Sequence, residues 1–260
     1  MILLVRFFCM IMMSLFLYPN FVQAKQMWSE SDTKLWVSSA MQIAKEVDAG
    51  RYVEARQILD ELAKHFSHSN FAEKELSVQA IQALSTSIID LEGRLNRITP
   101  NPNELNFYAK RLLMTFDAVG HPYQPMWKSY YPILKRQVDK MISDIKQGKD
   151  IREERNILHN HYVILRPALV VTKTPTTVQK VDSLFLFLER DSNKDHQLIA
   201  LNQLRKLWYP LFYGSEQDVL AVTNPDGKVP VSTFLSVISV IIIGILTFVS
   251  WRKRMQSIVS

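Results

Sequence analysis

Between two apolar ends, the hydrophobic positions of this chain recur with a period near 3.6 residues, the spacing of one face of an α-helix. In TKLWVSSAMQIAKEVDAG, the residues Trp36, Ala40, Ile43, Ala44 and Val47 form one apolar stripe, while Leu35, Ser39, Gln42 and Glu46 fall in a separate set. Ser31 or Asp32 can cap that helix and Gly50 can end it. RYVEARQILDELAKHF follows at once, with Val53, Ala55, Ile58, Leu59, Leu62 and Phe66 expected inward, so the two segments predict an antiparallel hairpin. Further helices are predicted over 71–98 and 104–119, separated by the breaker TPNPN. One over 126–146 must be kinked or restarted by Pro132. Another over 150–171 weakens at Pro167 and the β-branched stretch VVTKTPTT, and two more cover 177–190 and 196–213, with Pro210 near the close. The fold class expected is all-α, an exported domain of seven or eight helices spanning residues 25–222.

The first hairpin resembles one element of a tetratricopeptide repeat, in which A-x-G-x-Y-x-E-A marks the turn. Ala49 and Gly50 supply the turn, Tyr52 fills the gap between helices and Ala55 allows close approach. No second copy follows about 34 residues on, and the usual Trp-Leu-Gly spacing is missing from the first helix. The hairpin therefore reads as a single packing solution.

The periodic pattern stops at both ends. Residues 231–251 contain no charge, and 21 residues at about 1.5 Å each cross a hydrocarbon core of roughly 30 Å. Ser236, Ser239, Thr247 and Ser250 can bond back to helix carbonyls inside lipid. Arg252, Lys253 and Arg254 follow directly and predict a cytoplasmic tail at 252–260, with the large domain on the other side of the membrane. At the other end, Arg6, the apolar stretch 7–17, Pro19 and Ala24 give residues 1–24 the layout of a signal peptide, an uncleaved first transmembrane helix being the alternative. A linker at 223–230, within VTNPDGKVP, keeps the domain within about 30 Å of the bilayer. The expected location is a cell membrane, single-pass, with the domain extracytoplasmic.

Composition changes this picture in two ways. The single cysteine, Cys9, lies in the signal segment, so the exported domain must be stabilised by a hydrophobic core without disulfides. The net charge of +6 is concentrated at the ends: Arg6 and the basic triplet carry four of the six, leaving +2 for residues 25–251. A nearly neutral domain lacks the footprint that nucleic-acid binding needs.

Candidate chemistry is sparse. Asp191, Asn193 and Asp195 repeat the first three ligands of an EF-hand loop, but His196 and Asn202 stand where Gly and the bidentate Glu belong. A polar turn between helices is the better account. His65 with His68 and His159 with His161 are close pairs without the carboxylate spacing of a zinc helix. The mature chain has no cysteine and no G-x-S-x-G elbow, and its seven glycines leave little material for oxyanion or phosphate loops. Glu153 and Glu154, between Arg152 and Arg155, read as a solvated helix face rather than an acid and base pair. Tyr123, Trp127, Tyr130 and Tyr131 either line a recognition groove or fill the core, and Trp208, Tyr209, Phe212 and Tyr213 lie where they can also meet lipid headgroups. No catalytic, cofactor-binding or metal residue is assigned, and no cofactor is expected.

With its signal segment, a helical ectodomain containing DAGRYVEARQILDELAKHF, the segment HYVILRPALVV and a terminal span ending in WRKR, the chain resembles the sporulation protein YpjB family of endospore-forming bacteria. The resemblance implies a membrane protein made during sporulation, with no established enzymatic activity and no functional residues to carry over. Two functions of different class follow. One is a membrane-tethered protein whose helical domain docks to another protein or an envelope component. The alternative is a cell-wall or cortex-directed enzyme using scattered carboxylates such as Glu153, Glu154 or Asp191. A signalling receptor is weaker, because a tail of nine residues is too short for an output domain, and a lone Gly244 gives no dimerisation seam.

Overall fold

The computed structural model describes residues 29–72, 75–191 and 193–222. Within them are nine α-helices, one short 3-10 helix and no strand, so the all-α expectation holds for the described residues. The signal peptide at 1–24, the linker at 223–230, the span at 231–251 and the tail at 252–260 lie outside them. Among the described residues no helix is long and apolar enough to cross a membrane.

The chain forms two compact units. Among the described residues, one comprises those up to Trp127 together with Val163–Thr172, and the other Lys128–Tyr162 together with those from Lys173 onward.

In the first unit, α1 (Ser29–Asp48), α2 (Tyr52–Ser67), α3 (Val78–Leu95) and α4 (Pro102–Gly120) pack as a four-helix ring. α1 lies against α2 and α4, and α3 lies against the same two. The predicted hairpin between α1 and α2 is present. Gly50 adopts φ +73°, and the bonds from Gly50 N to Val47 O and from Arg51 N to Glu46 O close α1 in a Schellman motif. Only a residue without Cβ takes that left-handed turn at no steric cost.

α3 starts at Val78, not at residue 71, because the Ser77 hydroxyl accepts a bond from Ala80 N and fixes the cap there. Asn101 caps α4 in the same way, with Pro102 in its first turn. The core is aromatic at its centre. Trp36 meets Phe66 and Phe116 edge-on at 5.1 and 6.1 Å between ring centres, and Phe66 meets Phe116 at 5.8 Å. Ala55, Leu59, Leu62 and Phe66 of α2 are buried as expected, but Val53 is 61% exposed. At about 100° per residue it lies about 200° around the helix from Ala55, so helical geometry itself turns it to solvent.

In the second unit, the 3-10 helix Met126–Tyr130 leads into α5 (Tyr131–Lys146), whose first turn contains Pro132. Proline therefore restarts the helix here, as its fixed φ and missing N–H favour. α6 (Arg152–Thr172) continues through Pro167, contrary to the expected weakening. Pro167 and its neighbours Ile164, Leu165, Ala168 and Leu169 are buried, and that packing offsets the lost hydrogen bond. The first half of α6 belongs to this second unit and the rest to the first.

α7 (Pro175–Arg190) begins before residue 177 because the Thr174 hydroxyl caps it. α8 (Lys194–Tyr213) is the centre of the unit, packing against α5, α7 and α9 (Glu216–Ala221). α9 was not expected from the hydrophobic pattern. A capping box between Ser215 and Asp218 starts it, and the Glu216 carboxylate accepts from Thr174 Oγ1 at 3.0 Å and from the buried Thr177 hydroxyl. Phe185 stacks on Tyr162 with ring centres 4.1 Å apart, and Trp208 and Phe212 meet edge-on at 6.1 Å.

Candidate functional site

Most of the residues singled out by sequence have an identifiable local role. Asp191 closes α7, where its carboxylate accepts from Asn193 N at 2.8 Å and lies 2.7 Å from His196 Nδ1. The Asn193 N–H and then His196 hold that carboxyl below its usual range. The Asn193 side chain in turn accepts from Asp195 N and His196 N, capping α8. The EF-hand-like spacing thus serves a turn and a cap, with one Asp191 oxygen and the Asn193 oxygen taken by backbone N–H groups and the other Asp191 oxygen by His196. Among the described residues no group of three or more His, Cys, Asp or Glu side chains could hold a metal ion.

His68 caps α2, with Nδ1 2.7 Å from Lys64 O. His159 lies 2.6 Å from the Glu189 carboxylate of α7, whereas His161 lies 3.1 Å from Gln137 of α5, so that pair faces two different helices. Glu153 is exposed, and Glu154 accepts from Lys140 at 2.5 Å. The two carboxylates have separate surroundings.

The aromatic residues divide between core and surface. Trp127, Trp208 and Phe212 are buried, whereas Tyr123, Tyr209 and Tyr213 are exposed. Tyr131, half-buried, packs against Tyr213 at 5.1 Å, Phe212 at 5.5 Å and Tyr209 at 6.4 Å between ring centres. The groove suggested for the 123–131 segment therefore loses Trp127 to the core.

A concave feature of the second unit lies elsewhere, where the α5–α6 turn meets the start of α8. It is an open depression of about 290 Å³. Buried Ile145, Ile151 and Gln197 contribute to its wall, and Lys149, Arg152, Arg155 and Lys194 add four positive charges against the single negative charge of Asp150. Local geometry sets this up. Gly148 at φ +79° ends α5, with Gly148 N bonded to Ile145 O and Lys149 N to Asp144 O in a second Schellman turn.

Arg152 Nε lies 2.6 Å from Asp150, whose carboxyl it holds below the usual range. Arg155 donates to the Leu188 carbonyl at 3.1 Å, and Lys194 donates to the Gly148 carbonyl at 3.0 Å. These last two partners are neutral, so they fix the side chains without cancelling their charge. The feature joins residues 45 positions apart, and only its first part had a sequence signal, the cations of KQGKDIREER around Gly148.

Behind Lys149, the nearly buried Asp144 accepts from Lys140 at 2.9 Å and from Lys149 at 3.2 Å. Those ammonium groups, Lys140 first, hold the Asp144 carboxyl below its usual range, while Glu154 and Asp144 push Lys140 upward. A depressed folded value stabilises the protein fully above the ordinary carboxylate range, and the benefit disappears as pH falls through the folded value. Melting scans should accordingly show wild type above Asp144→Asn at neutral pH, with the gap closing below about pH 4. A gap that stayed constant down to pH 3 would contradict this role.

In class, then, this is an all-α protein with a cation-lined depression in its second unit. The chain matches the family described as Sporulation protein YpjB (SpoYpjB) over residues 34–256 and belongs to it. No curated protein and no solved structure matches the chain.

Proposed function

We propose that this sporulation protein is anchored in a membrane by residues 231–251 and presents its helical domain, residues 25–222, outside the cytoplasm. There the domain acts by binding another protein or an envelope component, without catalysing a reaction. The observation that carries this reading is the uncharged run of 21 residues followed at once by Arg252, Lys253 and Arg254. The family match extends through that run to residue 256, which supports treating it as part of what the family shares. The described helices support binding over catalysis in one respect: Glu153, Glu154 and Asp191, the carboxylates best placed for chemistry by sequence, are divided between solvent, an ion pair and a helix cap.

Protease added to intact protoplasts of sporulating cells should digest the helical domain while a cytoplasmic marker survives. Crosslinking in the same cells should recover a partner with the full chain but not with an anchor-only control. Protection of the domain would overturn the orientation, and identical recovery from both forms would overturn the binding role. Release of fragments from purified cortex by the full chain would instead favour an enzyme.

A further inference from the structure

We infer that the depression between the α5–α6 turn and the start of α8 is a binding site for a phosphate group. Four cationic side chains and one carboxylate line it, and with Asp150 on Arg152 and Asp144 on Lys149, two of the four cations, Arg155 and Lys194, are left around one concavity. In the two neighbouring acidic positions the charge is already committed, since Asp144 serves Lys140 and Lys149, and Asp150 serves Arg152. Among the described residues no carboxylate pairs with Arg155 or Lys194. Their recorded partners are the carbonyl oxygens of Leu188 and Gly148, which take one donor from each and leave the rest of the guanidinium and ammonium groups for a ligand.

Holding cations close together against their mutual repulsion is unfavourable unless an anion joins them, and a phosphate, with up to two charges and several acceptor oxygens, relieves more of it than a carboxylate does. Arginine's planar fork suits such oxygens in particular. The carbonyl bonds hold Arg155 and Lys194 in place before the ligand arrives, which reduces the ordering cost of binding. With about 290 Å³ available in an open depression, the site admits a phosphate carried on a larger molecule. Its source is either a soluble phosphate ester or a phospholipid headgroup. The site does not depend on the anchoring proposed above.

The test uses the full chain in uncharged detergent, titrated calorimetrically at constant ionic strength with inorganic phosphate, glycerol phosphate, short-chain phosphatidic acid and acetate. Saturable binding of the phosphate compounds, stronger than that of acetate, is expected. The double substitution Arg155→Gln with Lys194→Gln should weaken it by about tenfold or more, as loss of two charge-assisted bonds implies. Lys135→Gln, on an exposed pair with Asp139 outside the depression, should leave it unchanged. Circular dichroism establishes whether the double variant is folded. Should it not be, Lys194→Glu alone is used, and it must abolish binding.

Preference for phosphatidic acid over glycerol phosphate assigns the lipid source, and equal binding assigns the soluble one. Absence of saturable binding to wild type, acetate binding as well as phosphate, or equal weakening by Lys135→Gln would overturn the site.

Discussion

Trp36→Ala is expected to destabilise the first unit by about 3–5 kcal/mol, the range for removing a large aromatic side chain from a packed core. Trp36 is 1% exposed and holds two of the three edge-on contacts that join α1, α2 and α4. Such geometry adds to the area term, because each ring edge faces the electron-rich face of another. Alanine leaves Phe66 and Phe116 beside a void that helices tied by short turns can only partly close. Hydrogen exchange is the suitable readout: amides of α1, α2 and α4 should lose protection by several hundredfold, while those of α7 and α8 change much less. Similar losses in both sets would mean that the two units unfold as one.

The second large effect is expected at Asp117. This carboxylate is 1% exposed, near the end of α4, and accepts from His121 Nδ1 at 2.6 Å and from the backbone N–H of Met126. It therefore ties both ends of the segment HPYQP, which follows the last helical bond of α4, from His121 N to Asp117 O. Asp117→Ala removes the acceptor for a backbone donor as well as for the imidazole, and bonds to charged groups are worth about 1.5–3 kcal/mol each. A loss of about 2–4 kcal/mol in urea unfolding is expected. Asp117→Asn keeps an oxygen for Met126 N and should recover part of it. Failure of Asn to do better than Ala would show that the backbone bond contributes little.

How much of this was legible in sequence varies with the kind of signal. Helix faces were readable wherever period and burial agree: Trp36, Ala40, Ile43 and Val47 are all buried, as the stripe in α1 requires. Where a reading departed from the period, it failed, as at Val53. Boundaries were harder, because they depend on single side-chain bonds. Ser77, Thr174 and Asn193 each cap a helix at a residue that the apolar pattern does not mark. The start of α9 was encoded in Ser215 and Asp218, a capping spacing with too short an apolar run behind it to attract notice.

One proline misled in the opposite sense, since its cost is local while the burial that outweighs it is tertiary. Pro167 is the case in point. The cation-lined depression was illegible for a related reason. Lys149, Arg152 and Arg155 are close in sequence, but a run of mixed charge on a helix ordinarily means a solvated face. Only the fold brings Lys194 to the same place and shows that two of the four cations rest on neutral carbonyls.

The division of α6 between the two units has a consequence for anyone who would dissect the protein. The chain leaves the first unit after Trp127, returns to it for the ten residues Val163–Thr172, and departs again. Val171, from that returning stretch, packs on the core built by α1 to α4. A deletion at residue 127 therefore does not isolate a finished module, and a deletion of the second unit's start severs a helix that the first unit needs. On the ribosome, the earlier half of the protein must wait for residue 172 before its core is closed. The two units are interleaved in synthesis, because part of the first is translated after the start of the second.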